Sequence, residues 1–331
     1  MSGLSGRHGR PIDEIDITRL QARSKILSGI RAFFQGHEYM EINPPVLVPY
    51  AGMEPYIDPF TVRGMSTSGF LQTSPEYALK TLLGAGLPRV FSITQCFRDE
   101  PPSTTHSPQF TMLEWYRAGA DLHALMDETE ALIQEVVEYA HRHVVPGVST
   151  CLLRPFERIT VRDAFVSHGG IDPWSYPAPS DFKAAAEKRN VRVSALATCW
   201  DAIFFEVFMN EVEPKLGLEQ PTLLWGWPRS QAALARLDPG DPSRALRFEL
   251  YAGGFELANA FDELTCATEQ RARFLEDQKV RLDLGKPAFE LDERFLSGVD
   301  RMVPTAGIAL GLDRLVMLLT GATDIKQVQA W

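Results

Sequence analysis

The stretch from Phe97 to Arg117 constrains the fold more than any other part of this chain. An apolar, β-prone run, Arg89 to Phe97, leads into it, a polar loop rich in Pro, Ser and Thr follows, and a second such run covers Gln109 to Arg117. These patterns predict two antiparallel strands joined by a loop far longer than a hairpin needs. The chain therefore contains at least one antiparallel sheet.

Side chains alternate across a strand, so every second residue of these runs shares a face. Arg98 and Glu100 share one face where the first strand ends, and four side chains share one face of the second strand: Phe110, Met112, Glu114 and Tyr116. Burying charge without a partner is costly, so this concentration of polar groups indicates a binding site. The alternative is an amphipathic hairpin with its polar face in water.

The composition predicts a soluble globular protein. The 331 residues suffice for one large domain or two ordinary ones, and the net charge of −10 gives no electrostatic case for nucleic acid. Four scattered cysteines without a CxxC pair suit a reducing cytoplasm and argue against a disulfide framework or a zinc site. No apolar run approaches about 18–20 residues, and the first residues lack the apolar core of a signal peptide. We therefore expect a cytoplasmic location and no membrane partner.

Apolar periodicity predicts a mixture of helices and strands. Residues 1–16 are expected to be a flexible tail and residues 17–331 a single domain, with 144–245 as an insertion or accessory layer. Ser74 is expected to cap a helix that has Pro75 at its first position and Glu76 in its first turn. Helices are expected over Thr18–His37 (capped by Asp16 or Thr18), Asp121–His143 and Thr268–Leu284. Strands are expected over Tyr39–Val48, Gly69–Thr73, Arg158–Arg162, Thr222–Trp227, Arg247–Ala252, Phe255–Leu264 and Thr305–Leu310. Prolines confine the first of these strands to an edge or an interface.

Three groups of residues have side chains suited to parts of one ligand. A guanidinium, as in Arg98, suits a phosphate, and an aromatic plate suits a purine. Glu249 and Glu256 flank a Gly253-Gly254 turn and are the hard oxygen donors that Mg²⁺ prefers. The run Gly311-Leu-Asp-Arg314 places an arginine where a helix opens, a position that favours anions. Together they describe an ATP site, although the chain has no GxxxxGK[ST] loop.

Taken in order, these motifs resemble those of the class II aminoacyl-tRNA synthetases. The first helix with the Pro45 strand resembles motif 1, Phe97 to Arg117 resembles motif 2, and Gly307 to Arg314 resembles motif 3. The segments FTMLEWY, FELANAFDEL and GLDRLVML are similar to lysyl-tRNA synthetase catalytic cores, and the resemblance covers roughly residues 18–325. It implies an α+β fold, an antiparallel sheet flanked by helices.

Only about 30 residues precede Phe33, fewer than the ~40 that a domain usually needs to fold alone. We therefore expect no anticodon-binding domain and no tRNA partner. A free-standing core of this kind is similar to the elongation factor P–(R)-β-lysine ligase family. That resemblance implies a homodimer that uses ATP and Mg²⁺ to activate (R)-β-lysine and transfers it to a lysine of elongation factor P.

The resemblance also implies a role for each matching residue. Arg98 and Arg314 would be catalytic, contacting the α- and γ-phosphates, and Glu249 and Glu256 would bind Mg²⁺. The resemblance places Ala309 in the floor of the substrate pocket, at a position where lysyl-tRNA synthetases carry Gly. The implied ATP set is Arg98, Asp99, Glu100, His106, Ser107, Phe110, Glu256, Leu257, Gly311 and Arg314. The implied substrate set is Ser74, Pro75, Glu76, Glu114, Tyr116, Asn259, Glu263 and Ala309.

Strict alternation places Glu256 and Glu263 on opposite faces of one strand, so both can serve one site only if a β-bulge intervenes. The motif 2 loop also departs from the family, which tends to read RHNPEF or RYHNPEF. In this chain Thr104 and Thr105 precede His106, the loop Arg is absent, Ser107 replaces Asn and Gln109 replaces Glu. Two alternatives follow: a ligase for α-lysine or another acceptor, and a non-catalytic paralogue that binds ligand and regulates a partner.

Overall fold

The computed structural model describes residues 15–143 and 151–330, and elements are numbered within those ranges. The helices are α1 (Ile17–Gly36), α2 (Glu76–Gly84), α3 (Leu122–Arg142), α4 (Val161–Ala164), α5 (Pro179–Glu187), α6 (Trp200–Val207), α7 (Ala267–Asp283), α8 (Glu293–Val299) and α9 (Leu312–Thr320). The strands are β1 (Met40–Glu41), β2 (Leu47–Val48), β3 (Thr61–Arg63), β4 (Ser68–Leu71), β5 (Arg89–Phe97), β6 (Gln109–Ala118), β7 (Glu157–Thr160), β8 (Thr222–Pro228), β9 (Leu237–Asp238), β10 (Asp241–Ala252), β11 (Phe255–Asp262) and β12 (Thr305–Gly311). The predicted flexible tail lies outside the described residues except for its last two positions.

One large sheet organises the described residues. Its strand order is β1-β5-β6-β12-β11-β10-β8-β7, and β9 pairs with β10. The central strands β5, β6, β12, β11, β10 and β8 are antiparallel, whereas β1 and β7 add parallel strands at the two edges. A small second sheet has the order β2-β4-β3. The predicted α+β fold with an antiparallel sheet is confirmed.

One face of the large sheet is apolar and is covered by helices. Directly opposed residues of adjacent strands share a face, and the row Phe91–Trp115–Ile308–Ala260–Phe248 is buried from end to end. Helices α1 and α3 pack there, and Phe34 of α1 stacks on Phe91 with ring centroids 4.4 Å apart. Burial of large apolar side chains supplies the main stabilisation of this layer. The opposite face remains available for a site.

Several predicted boundaries differ from the structure; β10, for example, begins at Asp241 and not at Arg247. The run Tyr39–Val48 is two short strands, β1 and β2, in different sheets, because consecutive Pro44 and Pro45 cannot donate backbone hydrogen bonds to a ladder. The helix cap predicted at Ser74 is also displaced. Helix α2 begins at Glu76, Pro75 holds the cap position, and the Ser74 hydroxyl accepts from the Glu76 amide at 3.0 Å. Asp16 caps α1, accepting from the Arg19 amide.

Residues 151–245 extend the sheet and add a helical layer. Strands β7 and β8 pair beyond β10, while α4, α5 and α6 surround a second apolar core that includes Phe165, Phe182, Phe204 and Trp227. None of the helices in the described ranges has the length and apolar character needed to cross a bilayer.

Candidate active site

One row of opposed side chains crosses the face of the sheet that lies opposite α1 and α3. Glu114 of β6 lies opposite Ala309 of β12, Ala309 opposite Asn259 of β11, and Asn259 opposite Glu249 of β10. Opposed residues project to the same face. Four residues predicted from distant parts of the sequence therefore lie side by side on one face.

A β-bulge at Leu257 brings Glu256 onto the same face. Leu250 pairs with Ala258 and Tyr251 pairs with Glu256, so Leu257 is the extra residue on β11. The alternation shifts by one position there, which places Glu256 on the face of Asn259. Glu263 follows the end of β11, where its amide donates to the Thr305 carbonyl at 2.8 Å. The bulge that the sequence required is present.

A cleft of about 210 Å³ opens on this face between the motif 2 loop and the start of α9. Every residue of the expected ATP set lines it except Asp99, which is exposed and whose amide donates to the Asp58 carbonyl at 2.8 Å. Ala309 and Asn259 lie in the cleft wall, so the cleft ends at the row described above. Its wall also contains residues outside both expected sets: Ile57, Thr105, Thr111, Met112, Ala258, Asp313 and Ile325.

Arg98 contacts an aromatic ring but makes no ion pair within the described chain. Its guanidinium lies 5.1 Å from the centroid of the Phe110 ring, and its buried Nε has no hydrogen-bond partner there. A buried donor without a partner is costly, because it has lost its hydrogen bonds to water and has gained no hydrogen bond within the protein. An anionic group bound in the cleft would supply the missing acceptor.

Arg314 links the motif 2 loop to β11. It donates to the Glu256 carbonyl at 2.8 Å and to the Thr105 carbonyl at 3.3 Å, and its Nη2 lies 2.7 Å from Nε2 of His106. Burial and the neighbouring Arg314 charge lower the pKa of His106, so the ring is a neutral acceptor in this contact. The loop is therefore positioned by the same arginine that the family resemblance assigns to the nucleotide.

A second network fixes the start of α9. The buried Asp313 carboxylate accepts from Arg23 of α1 at 2.5 Å, from the Thr111 amide at 3.0 Å and from Gln329 at 3.0 Å. Because Asp313 precedes Arg314, these bonds tie the orientation of the helix start to α1 and β6.

Glu249 and Glu256 are chemically suited to hold Mg²⁺. Burial raises the pKa of Glu249 to about 7, and the charge of Glu256 adds to the rise against the opposing effect of Arg247. A divalent cation would relieve that repulsion, since two carboxylates with water and phosphate oxygens are a usual Mg²⁺ set. Within residues 15–143 and 151–330 no group of three or more His, Cys, Asp or Glu side chains is placed to hold a metal unaided. The residues fit an ion that arrives with a nucleotide.

Three of the expected substrate residues form a buried acidic cluster behind the cleft: Glu76, Glu114 and Glu263. Glu114 accepts from the Tyr116 hydroxyl and from the Ser74 hydroxyl, both at 2.7 Å. Burial raises the pKa of Glu114 to about 8, and the charge of Glu76 adds to this. Burial likewise raises the pKa of Glu263 to about 8. The expected substrate residues Ser74, Pro75 and Glu76 also line a neighbouring cavity of about 570 Å³, together with Pro44, Pro45 and Glu54.

Two cations at the site escaped the sequence reasoning. Lys80 is buried and pairs with Glu76 and Glu263, in each case at 2.5 Å. Arg247 pairs with Glu249 and donates to Oδ1 of Asn259 at 3.1 Å. Their spacing is a signal that could have revealed them. Lys80 lies four residues after Glu76 on a helix, and Arg247 lies two residues before Glu249 on a strand.

Comparison with known proteins agrees with this geometry. The family of class II tRNA synthetases (D, K and N) matches residues 14–331. A protein of Histophilus somni (strain 2336) is 37% identical over 319 residues, covering 94% of both chains. Proteins of Pseudoalteromonas translucida and Proteus mirabilis are 37% and 35% identical over 322 residues, covering 95% of both chains. All three relatives are named elongation factor P–(R)-beta-lysine ligase. The chain belongs to the class II tRNA synthetases and, within that class, to the family of these ligases.

Proposed function

We propose that this protein uses ATP to activate (R)-β-lysine as an aminoacyl-adenylate and transfers it to a lysine side chain of elongation factor P. The observation that carries the proposal is the row Glu114–Ala309–Asn259–Glu249, which begins in an acidic cluster and whose Ala309 and Asn259 line the cleft that contains the unpartnered Nε of Arg98. Acidic groups at one end suit a substrate with two ammonium groups, and arginines at the other suit a triphosphate. The names of the relatives supply the particular amino acid and acceptor.

In the first step a carboxylate oxygen of the substrate attacks the α-phosphorus of ATP, and the bond to the β-phosphate oxygen breaks to release pyrophosphate. Arg98 supplies donors for the charge that develops on the α-phosphate, and Arg314 for the outer phosphates. Phe110 offers the adenine ring a surface, and Glu100 an acceptor for its amino group. Asn259 orients the substrate carboxylate, which places the attacking oxygen.

In the second step the acceptor amine attacks the acyl carbon and AMP leaves. The amine must be neutral to attack, against an ordinary pKa of about 10.4 for lysine. Glu249 and Glu256 would hold Mg²⁺, which supplies positive charge to the phosphates when bound.

Further parts of the proposal are an assembly and a location. We infer a homodimer built around the Pro44–Pro45 segment, because Met40, Val46 and Leu47 beside it are exposed apolar side chains. We infer that residues 17–331 act as one catalytic domain in the cytoplasm without a tRNA substrate.

ATP–pyrophosphate exchange tests the proposal. We expect exchange with (R)-β-lysine well above that with α-lysine or without amino acid. Exchange with α-lysine alone would retain the chemistry and replace the substrate. Absence of exchange, from protein that still binds ATP, would favour the regulatory paralogue instead. The observation favouring that alternative is the motif 2 loop, whose Thr104 carbonyl accepts from the Ile325 amide at 2.7 Å and whose usual arginine is replaced.

A further inference from the structure

We propose that Lys80 is a specificity-determining residue: it is the resident cation of the acidic cluster and sets the cluster's charge to match a substrate with two ammonium groups. This inference rests on the proposed function for the identity of the substrate. It goes beyond that function by assigning selectivity to a residue outside the expected substrate set, one turn after Glu76 on α2.

The position of Lys80 is the first support. Its Nζ lies 2.5 Å from Oε1 of Glu76 and 2.5 Å from Oε2 of Glu263, and its side chain is 1% exposed. Burial alone would lower the pKa of Lys80, but these two carboxylates together raise it above its ordinary value. The ammonium is therefore charged wherever the carboxylates are ionised.

The remaining acceptors are the second support. Oε1 of Glu263 is buried and has no hydrogen-bond partner within the described ranges. Glu114 faces the same space and receives hydrogen bonds only from hydroxyl groups, those of Ser74 and Tyr116. These carboxylate oxygens have capacity for further ammonium groups, whereas Oε2 of Glu263 already pairs with Lys80.

The charge count follows from these contacts. Glu76, Glu114 and Glu263 together with Lys80 leave the ionised cluster with two uncompensated negative charges, which two substrate ammonium groups would neutralise. Glu54, beside Glu76, is outside this count, because burial and the charge of Glu76 raise its pKa. A substrate with one ammonium group leaves a buried negative charge, and the cluster must take up a proton instead. Without Lys80 the cluster would carry a third charge, and its carboxylates would hold their protons more tightly.

The surrounding elements contribute further titratable groups to this balance. They are Glu76 and Tyr77 on α2, Glu114 and Tyr116 on β6, Cys96 on β5, Glu263 after β11 and Glu54 before β3. The Lys80 charge opposes the rise in pKa of both Glu114 and Glu263. Removing that charge must shift their ionisation to higher pH.

The test compares Lys80→Met with wild type and with Lys279→Met, which removes an exposed lysine of α7 paired only with Glu276. ATP–pyrophosphate exchange is measured with (R)-β-lysine from about pH 6.5 to pH 9. We expect the KM for β-lysine of Lys80→Met to rise about tenfold at neutral pH for each unit by which the cluster's ionisation shifts, and to recover as the pH rises. The KM for ATP and the whole profile of Lys279→Met should equal those of wild type.

A KM that rises equally at every pH would indicate a merely structural role for Lys80 and overturn the proposal.

Ethylammonium should restore activity to Lys80→Ala, whereas ethanol should not, and equal rescue by both would also overturn the proposal. Calorimetry with 1,4-diaminopentane, which has the ammonium spacing of β-lysine, and with pentylamine covers the case in which wild type shows no exchange or Lys80→Met does not fold. Wild type should then bind the diamine with release of protons and discriminate against the monoamine. Equal binding of both amines would refute the charge match independently of the proposed reaction.

Discussion

At the scale of single residues, Ala309 has the most specific position. It is partly exposed in the cleft, and its strand neighbours on the same face are Glu114 and Asn259. Its methyl group therefore lies between the residues proposed to bind the substrate's ammonium and carboxylate groups. A single methyl group in a pocket is worth about 1–3 kcal/mol of discrimination.

We predict that Ala309→Gly increases the use of α-lysine relative to (R)-β-lysine, because the methyl group no longer fills the space in which an α-amino group would lie. The change should be about tenfold in the ratio of kcat/KM values, measured by ATP–pyrophosphate exchange with each amino acid. An unchanged ratio would show that Ala309 only fills the strand. Ala306→Gly, on the same strand but on its helix-covered face, is the matched control.

Glu114 leads to a prediction on stability. Its pKa is raised from 4.5 to about 8 in the folded protein, so the folded state binds this proton more tightly than the unfolded chain does. That contribution to the free energy of unfolding is complete below the unfolded pKa and is lost as the pH rises through about 8.

We therefore expect the Tm of Glu114→Gln to exceed that of wild type by an amount that grows between about pH 5 and pH 8 and then levels off, because the amide never ionises. Thermal unfolding across that range measures the difference. Glu135→Gln on the exposed side of α3 should show no such trend. A constant difference for Glu114→Gln would mean that Glu114 ionises normally.

At the scale of elements, the packing of β12 on β6 depends on Gly307. A Cβ atom at this position would lie 2.2 Å from the Tyr116 ring and 2.7 Å from Oε1 of Glu263. Real Cβ contacts are not so close, so the ring and the carboxylate would have to move. The glycine is therefore required by the acidic cluster and not by a turn.

We predict that Gly307→Ala destabilises the protein by about 1–3 kcal/mol and raises the KM for the amino acid more than the KM for ATP. Chemical denaturation and ATP–pyrophosphate exchange provide the two measurements. Gly36→Ala is the control, since a Cβ there at the end of α1 would contact nothing within 4 Å. Wild-type stability and KM in Gly307→Ala would contradict this account of the packing.

The sequence predicted those helices and strands whose positions are set by neighbouring residues. Asp16 caps α1 and Asp121 caps α3 as short polar side chains do, and β5 and β6 follow from their alternating apolar runs. The need for a bulge on β11 also followed from the odd spacing between Glu256 and Glu263. The position of the bulge at Leu257 did not follow from the sequence. For Lys80 the only local signal is its i,i+4 spacing from Glu76, whereas its second partner, Glu263, lies 183 residues away in the sequence. The Pro44–Pro45 break was missed because each half pairs with a different sheet.

At the scale of the whole molecule, the segment around Pro44 and Pro45 combines exposed apolar residues with unpaired sheet edges. Met40 is 51% exposed on β1, an edge strand of the large sheet, and Leu47 is 39% exposed on β2, an edge strand of the small sheet. Such edges readily pair with another chain unless something covers them. The same segment lines the cavity that contains Ser74 and Glu76, so assembly and substrate binding would share a surface.

We predict that the protein is a dimer by light scattering and that Leu47→Glu shifts it towards monomer, because a second copy would have to bury that charge without a partner. Since the segment borders Ser74 and Glu76, the monomeric variant should also bind β-lysine more weakly than wild type, while its ATP affinity changes little. Leu218→Glu places the same charge on an exposed leucine of the loop that precedes β8, and it should leave mass and affinity unchanged. A monomeric wild type would refute the assembly. A dimer insensitive to Leu47→Glu would place the interface elsewhere and separate it from the amino acid site.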